Sequence, residues 1–347
     1  KKALEQLLQT GPSFPGIPLH VCTDVSREEM DEVEVKFPMH IRNVGIVKQA
    51  SKEKDLGVIP IKKLEDDVFS LTIHHGFDSS QGKREYMEDR IKVIENINKE
   101  EDDEGNNIPY FAVFDGHAGC KAADICESSM HEYLLKEEGF ITGDMKQALT
   151  NGIKAQDKSI IEIGEKEDWT EGSCVSIIVI RENVLYSANL GDSHMIVGLR
   201  DALNGSVKPI CISETHKATE ESEKRRITEA GGMVMKGRVY GDLSISRAVG
   251  DRNYKIPKQD ADYVSSDPFI METHLTHHHL FAIIASDGLW DKVTFSEAVS
   301  AVHKEILNGT DIEETAKILL TMSQERGSMD NISVIVIRLQ WKRECIE

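Results

Sequence analysis

The sequence has little of what most functional classes need. Its six cysteines (Cys22, Cys120, Cys126, Cys174, Cys211 and Cys345) are scattered over 347 residues with no Cys-x-x-Cys pair. That spacing supports neither a zinc knuckle nor a disulfide framework, and it points to reduced thiols in a cytosolic or nuclear compartment. No apolar run approaches the roughly 20 residues that span a bilayer, and no signal-peptide pattern is visible. Basic excess is missing as well. Lys and Arg number 41 against 60 Asp and Glu, a net charge of −19, which argues against general nucleic-acid binding. There is no internal repeat and no glycine loop of the Walker or dinucleotide-binding type. What is present, 39% apolar and 29% charged residues, describes an ordinary soluble globular protein with a sizeable core.

The texture of the chain changes near Val68. Residues 1–67 carry one short helical pattern, the proline-rich loop Pro12 to Pro18 and brief apolar patches such as Val44-Gly45-Ile46-Val47, and read as an N-terminal extension of unassigned role. Residues 68–341 form one domain, and 342–347 a C-terminal tail. Val/Ile/Phe enrichment predicts strands at 68–75, 90–97, 109–115, 173–181, 184–189, 193–199, 280–286 and 331–339. Helices are predicted at 119–137, 144–166, 219–230, 295–308 and 312–326. Thr294 with Glu297 and Thr310 with Glu313 have capping-box spacing, and Gly231-Gly232 closes the third helix. The acidic run between 97 and 107 reads as a solvated hairpin loop. Strands that follow one another through short connections, with helices in pairs, predict an α+β fold of stacked antiparallel sheets flanked by helices.

The informative residues are acidic and sit where strands end. Tyr110-Phe111-Ala112-Val113-Phe114 runs into Asp115-Gly116-His117, and Leu280 to Ala285 runs into Ser286-Asp287-Gly288. Asp330-Asn331 adjoins the apolar Ile332 to Ile337, and Glu88-Asp89 precedes Arg90 to Ile97. Any single Asp-Gly is a common turn dipeptide. Several carboxylates at buried strand ends, however, are costly unless paired or bound to a cation, and hard cations such as Mn and Mg prefer oxygen ligands. Two cations could share Asp115, with the Gly116 carbonyl as a further ligand and Asp287 and Asp330 completing the sites. Glu88 and Asp89 would hold ligands or bound waters. Such a pair makes hydroxide available near neutral pH, a nucleophile suited to in-line attack at phosphorus. Arg84, four residues before Glu88, has the forked geometry of a phosphate clamp. His117 is placed to protonate a leaving alkoxide. Cys120 and Cys174 read as packed thiols, and His274 with His277-His278-His279 as surface residues.

The order of these stretches resembles the metal-dependent protein serine/threonine phosphatases of type 2C. The stretches are Gln81 to Asp89, Val113 to Gly119, Ala188 to Ser193, Ser244 to Asp251, Ser286 to Asp291 and Gly327 to Asn331. The resemblance implies an αββα four-layer sandwich of two antiparallel sheets flanked by helix pairs, with a binuclear Mn or Mg centre in a cleft at one end. It implies metal roles for Asp115, Gly116, Asp287 and Asp330, water-mediated contacts for Glu88 and Asp89, phosphate binding by Arg84 and acid catalysis by His117. The implied reaction is hydrolysis of phosphoserine and phosphothreonine in proteins by a metal-bound hydroxide. Phosphoproteins are then the partners, with no nucleic acid, no membrane span and a monomeric chain.

Four positions depart from the family pattern: His194 for arginine, Gly172-Ser173-Cys174-Val175 for Gly-Ser-Thr-Ala, Thr215-His216-Lys217-Ala218 for Asp-His-Lys-Pro, and Met329 for arginine. The Thr215 change removes a carboxylate that resembles a third-metal ligand of the family, with Asp287 as its other partner, and Asp192, Glu214 or Asp242 could compensate. The competing readings are a catalytically weak relative that binds phosphoproteins as a regulatory module, and a carboxylate-metal nuclease. Retention of Asp115, Asp287 and Asp330 speaks against the first. The acidic charge and the motif order speak against the second.

Overall fold

A computed structural model describes residues 31–34, 46–49, 69–98, 107–255 and 262–344. The chain divides into two compact units, Lys1–Asp66 and Asp67–Glu347. The described part of the first is an antiparallel strand pair, β1 (Asp31–Glu34) and β2 (Ile46–Gln49).

The second unit contains two five-stranded sheets. One has the order β11 (Val207–Cys211), β10 (His194–Arg200), β16 (His279–Ala285), β17 (Ile332–Arg343) and β3 (Phe69–Ser80). The other runs β15 (Phe269–His274), β9 (Val184–Leu190), β8 (Val175–Arg181), β5 (Tyr110–Phe114) and β4 (Arg90–Ile94). Every pairing in both is antiparallel.

Why the sheets stack is visible in the strand sequences. A strand covered on only one face alternates apolar and polar residues, whereas one covered on both reads as a continuous apolar run. In β5, Tyr110, Ala112 and Phe114 join a core with the helices α1 (Lys121–Leu135) and α3 (Met145–Glu167). Its alternate residues, Phe111 and Val113, meet Ala282, Ile284, Ile335 and Ile337 of the facing sheet. Phe281, Ile283, Val334 and Val336 point the other way, onto α6 (Phe295–Asn308) and α7 (Ile312–Glu325). The layers are therefore helices, sheet, sheet and helices, an α+β arrangement that matches the expected sandwich. The short helix α2 (Glu138–Thr142) follows α1.

Several boundaries differ from expectation. The strand expected to end at 75 continues to Ser80, because β3 pairs with β17 without interruption from Phe69 to Ser80. As an edge strand it is only partly covered, so its second half looks polar. Strands β11, mostly exposed, and β15, mostly half-buried, are also edge strands and were not expected. The capping box at Thr294 and Glu297 forms. The one at Thr310 does not: Asp311 caps α7 by accepting from the Glu313 N–H, while Thr310 Oγ1 donates to Glu305. Gly231 closes α4 (Glu221–Glu229) at φ 85°. Most of the acidic run between 97 and 107 lies outside the described residues.

A lobe between β11 and β15 is organised by one buried charge cluster. Glu223 on α4 accepts from Ser246 Oγ at 2.7 Å, from Arg226 at 3.0 Å and from Arg247 at 2.6 Å. These bonds outweigh the burial of the carboxyl and hold it at about 2, below its ordinary 4.5. A depressed acid contributes stability above its unfolded value and loses it as pH falls through the folded one. Glu223→Gln should therefore lower stability by about 2–3 kcal/mol near pH 6. In urea titrations this gap to wild type should narrow as pH falls below about 4.5. A gap independent of pH would show that the ion cluster is not its source.

Candidate active site

The two strand-end motifs meet. Asp115 follows the last residue of β5, and Asp287 opens the one-turn helix α5 (Asp287–Trp290) directly after β16. Two glycines allow the approach. A Cβ on Gly116 would lie 2.6 Å from the Glu88 carbonyl oxygen, and one on Gly288 would overlap the Asn331 carbonyl oxygen. Asn331 ties a third segment in. Its side chain accepts from the Glu88 N–H at 2.7 Å and donates to the carbonyls of Gln81 and Tyr86 at 2.8 and 3.0 Å. The loop 81–88 is thus fastened beside Asp330.

The result is a crowd of carboxylates. Asp89, 3% exposed, accepts from Ser286 Oγ at 2.8 Å, and Asp115 accepts from Ser193 Oγ at 3.2 Å. Burial, then the charges of Asp89, Asp287, Asp192 and Asp330, push Asp115 well above the usual carboxylate range. Burial, followed by Asp192 and Asp330, raises Asp287 to about 7. Burial raises Asp89 to about 6 despite its hydroxyl partners. The structure thus brings Asp89, Asp115, Asp287 and Asp330 into mutual electrostatic reach, with Glu88 close enough to act on His117. A set of oxygen donors with uncompensated negative charge fits hard divalent cations, and Mn and Mg match its chemistry.

Arg84 donates to Asp330 Oδ2 at 2.6 Å and is half-exposed, so its guanidinium stands at the mouth of the cluster. His117, two residues past Asp115, has its Nε2 2.8 Å from Asp251 Oδ2. Burial disfavours the imidazolium, but the charge and hydrogen bond of Asp251 outweigh it, and the net shift is upward. The backbone is left-handed at Ala118, the residue after His117, and at Asp251 itself, with φ 58° and 53°. Such conformations cost free energy in residues other than glycine.

Two neighbours, Asp251 and Lys217, were not singled out from the sequence, and Asp192 was named only as a carboxylate that could compensate for Thr215. Asp251 pairs with His117 from 134 positions away. Asp192 shares with Asp115 and Cys174 a group of donor atoms lying within 4.8 Å of one another. Lys217 places its ammonium 3.4 Å from Asp192, where the attraction outweighs the burial penalty and raises its pKa. The Gly-Asp-Ser turn was the available signal for Asp192; nothing local pointed to the partnership of Asp251. Cys174 is a buried thiol, and burial pushes its pKa well up. At the departures, Thr215 Oγ1 lies 3.4 Å from His194 Nε2, and His194 Nδ1 lies 3.1 Å from Ser213 Oγ. Asp242 accepts from Tyr254 Oη at 2.6 Å.

Residues 73–332 match the family model of protein phosphatase 2C, and the chain belongs to that family. It is 36% identical to the protein spalten of Dictyostelium discoideum over 281 residues, covering 78% of this chain and 28% of spalten. It is 33% identical to protein phosphatase 2C homolog 2 of Hypocrea jecorina, covering 80% of this chain and 64% of that protein. Against probable protein phosphatase 2C 45 of Oryza sativa the identity is 38%, over 76% and 86% of the two chains. The chain thus spans less than two thirds of the first two relatives. The serine-threonine phosphatase 2C of Toxoplasma gondii shares the fold, with a TM-score of 0.68 at 20% identity over 79% of this chain and all of that one.

Removing one charge from the cluster should relieve it. In excess chelator, Asp115→Asn should unfold at a higher temperature than wild type. Added Mn should raise the wild-type midpoint by several degrees and the variant's far less. A variant less stable than wild type in chelator would contradict the repulsion read here.

Proposed function

We propose that the chain hydrolyses phosphoserine and phosphothreonine esters in proteins, using two Mn or Mg ions held at the acidic end. The observation that carries this reading is the convergence of Asp89, Asp115, Asp287 and Asp330 between a guanidinium and a His-Asp pair. Asp115, the Gly116 carbonyl, Asp287 and Asp330 would hold the ions, with Glu88 and Asp89 orienting waters. Cations bound there would acidify water and neutralise the phosphoryl oxygens.

The chain's own groups do the rest. Arg84 can turn from Asp330 to the incoming phosphate, whose oxygens match its fork. Docking the phosphate against Arg84 sets the ester oxygen toward His117, and positioning dominates catalysis of phosphoryl transfer. As the bond from phosphorus to the seryl or threonyl oxygen breaks, the developing alkoxide takes a proton from the imidazolium of His117. Asp251 holds the ring through Nε2, which leaves Nδ1 to deliver that proton. The family membership supports phosphorylated proteins as the substrate class.

Release of phosphate from a phosphothreonine peptide should require Mn or Mg and stop in excess chelator. Activity that persisted there would refute the proposal. Arg84→Ala should mainly raise KM. His117→Ala should lower kcat on the peptide by about 10²–10⁴-fold, and much less on nitrophenyl phosphate, whose leaving group needs no proton. Equal losses on both substrates would make His117 structural.

A further inference from the structure

The sheet that ends in Asp287 and Asp330 has a second site-like feature at its other end. Strands β10, β16 and β17 run from the acidic cluster to a surface cavity of about 400 Å³. Along β10 alone, His194 and Arg200 are separated by about 20 Å of extended chain. The cavity is lined by Arg200, Arg338, His277 and His303, together with Trp341 and Leu307 among its apolar residues.

Its charge is opposite to that of the chain. The protein carries −19, yet among the described residues no acidic one lines this cavity. Two carboxylates near the lining residues in sequence are engaged elsewhere, and Glu344, three residues past Trp341, accepts from Ser70 Oγ. Asp201 accepts from Lys208 Nζ at 3.2 Å and from the Leu203 N–H at 2.9 Å, and Glu305 accepts from Thr310 Oγ1 at 2.8 Å. Among the described residues neither Arg200 nor Arg338 has an ion-pair partner. Burial, and then the charge of Arg200, lower the His303 pKa. The apolar side is equally defined. Trp341 fixes its indole by donating Nε1 to the His279 carbonyl at 2.8 Å. Phe69 stacks on His277 at a centroid distance of 4.5 Å, and Leu307 is 72% exposed.

Guanidinium pairs recognise phosphate and carboxylate groups, and ligand cavities of a few hundred Å³ combine an apolar wall with few polar anchors. We propose that this cavity binds a small amphiphilic anion, its phosphate or carboxylate head between Arg200 and Arg338 and its hydrocarbon against Trp341 and Leu307. The ligand would sit at the far end of the strands that carry the acidic cluster, and would not compete with substrate.

The probe is dodecylphosphonate, titrated calorimetrically into the full chain below its micelle-forming concentration. Excess chelator is present, so that the acidic cluster repels the anion. Saturable binding at one site is expected, with methylphosphonate and dodecanol each at least tenfold weaker. Arg200→Gln with Arg338→Gln should weaken binding at least tenfold. Leu307→Asp, a change at an exposed position, should do the same by placing a carboxylate at the rim. Dodecanoate in a parallel titration separates the two head groups: tighter binding than the phosphonate assigns a fatty acid, weaker binding a phosphate ester. Absence of saturable binding, or equal affinity in wild type and both variants, would overturn the proposal.

Discussion

The constraint on which the rest of the structure depends is repulsion among carboxylates at one end of a buried double sheet. Asp115 and Asp287 are each pushed upward first by burial and then by neighbouring carboxylates, Asp192, Asp330 and Asp89 acting on both. A protein core holds such a group only where something compensates it. Part of the compensation is built into the chain. Arg84 sits on Asp330, Lys217 sits on Asp192, and the hydroxyls of Ser193 and Ser286 donate to Asp115 and Asp89. The remaining negative charge is what fits the place to a divalent cation. The two sheets serve it by being rigid: β5 and β16 are covered on both faces, so the carboxylates they launch cannot move apart.

Much of this was legible in the sequence because the relevant signals are local. A continuous apolar run followed by Asp-Gly states both that the strand is buried and that an acid stands at its end. Asp115 and Asp287 could be placed in this way before any fold was known. The stacked sheets were legible from strands that follow one another through short connections with helices in pairs, and β5, β16 and β17 lack the alternation of a strand with one wet face. What could not be read was set by partners distant in sequence. Asp251 gains its role from His117, and only the fold brings the small strands β6 (Gly116–His117), β7 (Gly172–Ser173) and β14 (Val249–Gly250) into one sheet. The last helix shows how local competition decides a cap. Asp311 and Thr310 are both good capping residues, and Thr310 is taken by Glu305.

The lobe between β11 and β15 connects stability to the site. Glu223 gathers Ser246 and Arg247 into a buried cluster. The same segment continues through Ala248 and Gly250, where Asp157 accepts the Gly250 N–H at 2.8 Å and Lys255 Nζ at 2.6 Å. Asp251 lies in sequence between two buried ion clusters, with a left-handed backbone and a bond to His117. A buried ion pair is weak evidence for net stability but strong evidence for a fixed geometry when every partner is satisfied. Here that geometry orients an imidazole beside an acidic cluster.

The central claim is that the acidic end exists to hold divalent cations. Calorimetric titration of Mn into the metal-free full chain, without substrate, tests it most directly. The account predicts about two bound equivalents for wild type, as a paired-metal site requires, and loss of both in Asp115→Ala, because that residue faces the other carboxylates. A wild type that binds no Mn, or an Asp115→Ala variant with unchanged stoichiometry and affinity, would contradict it.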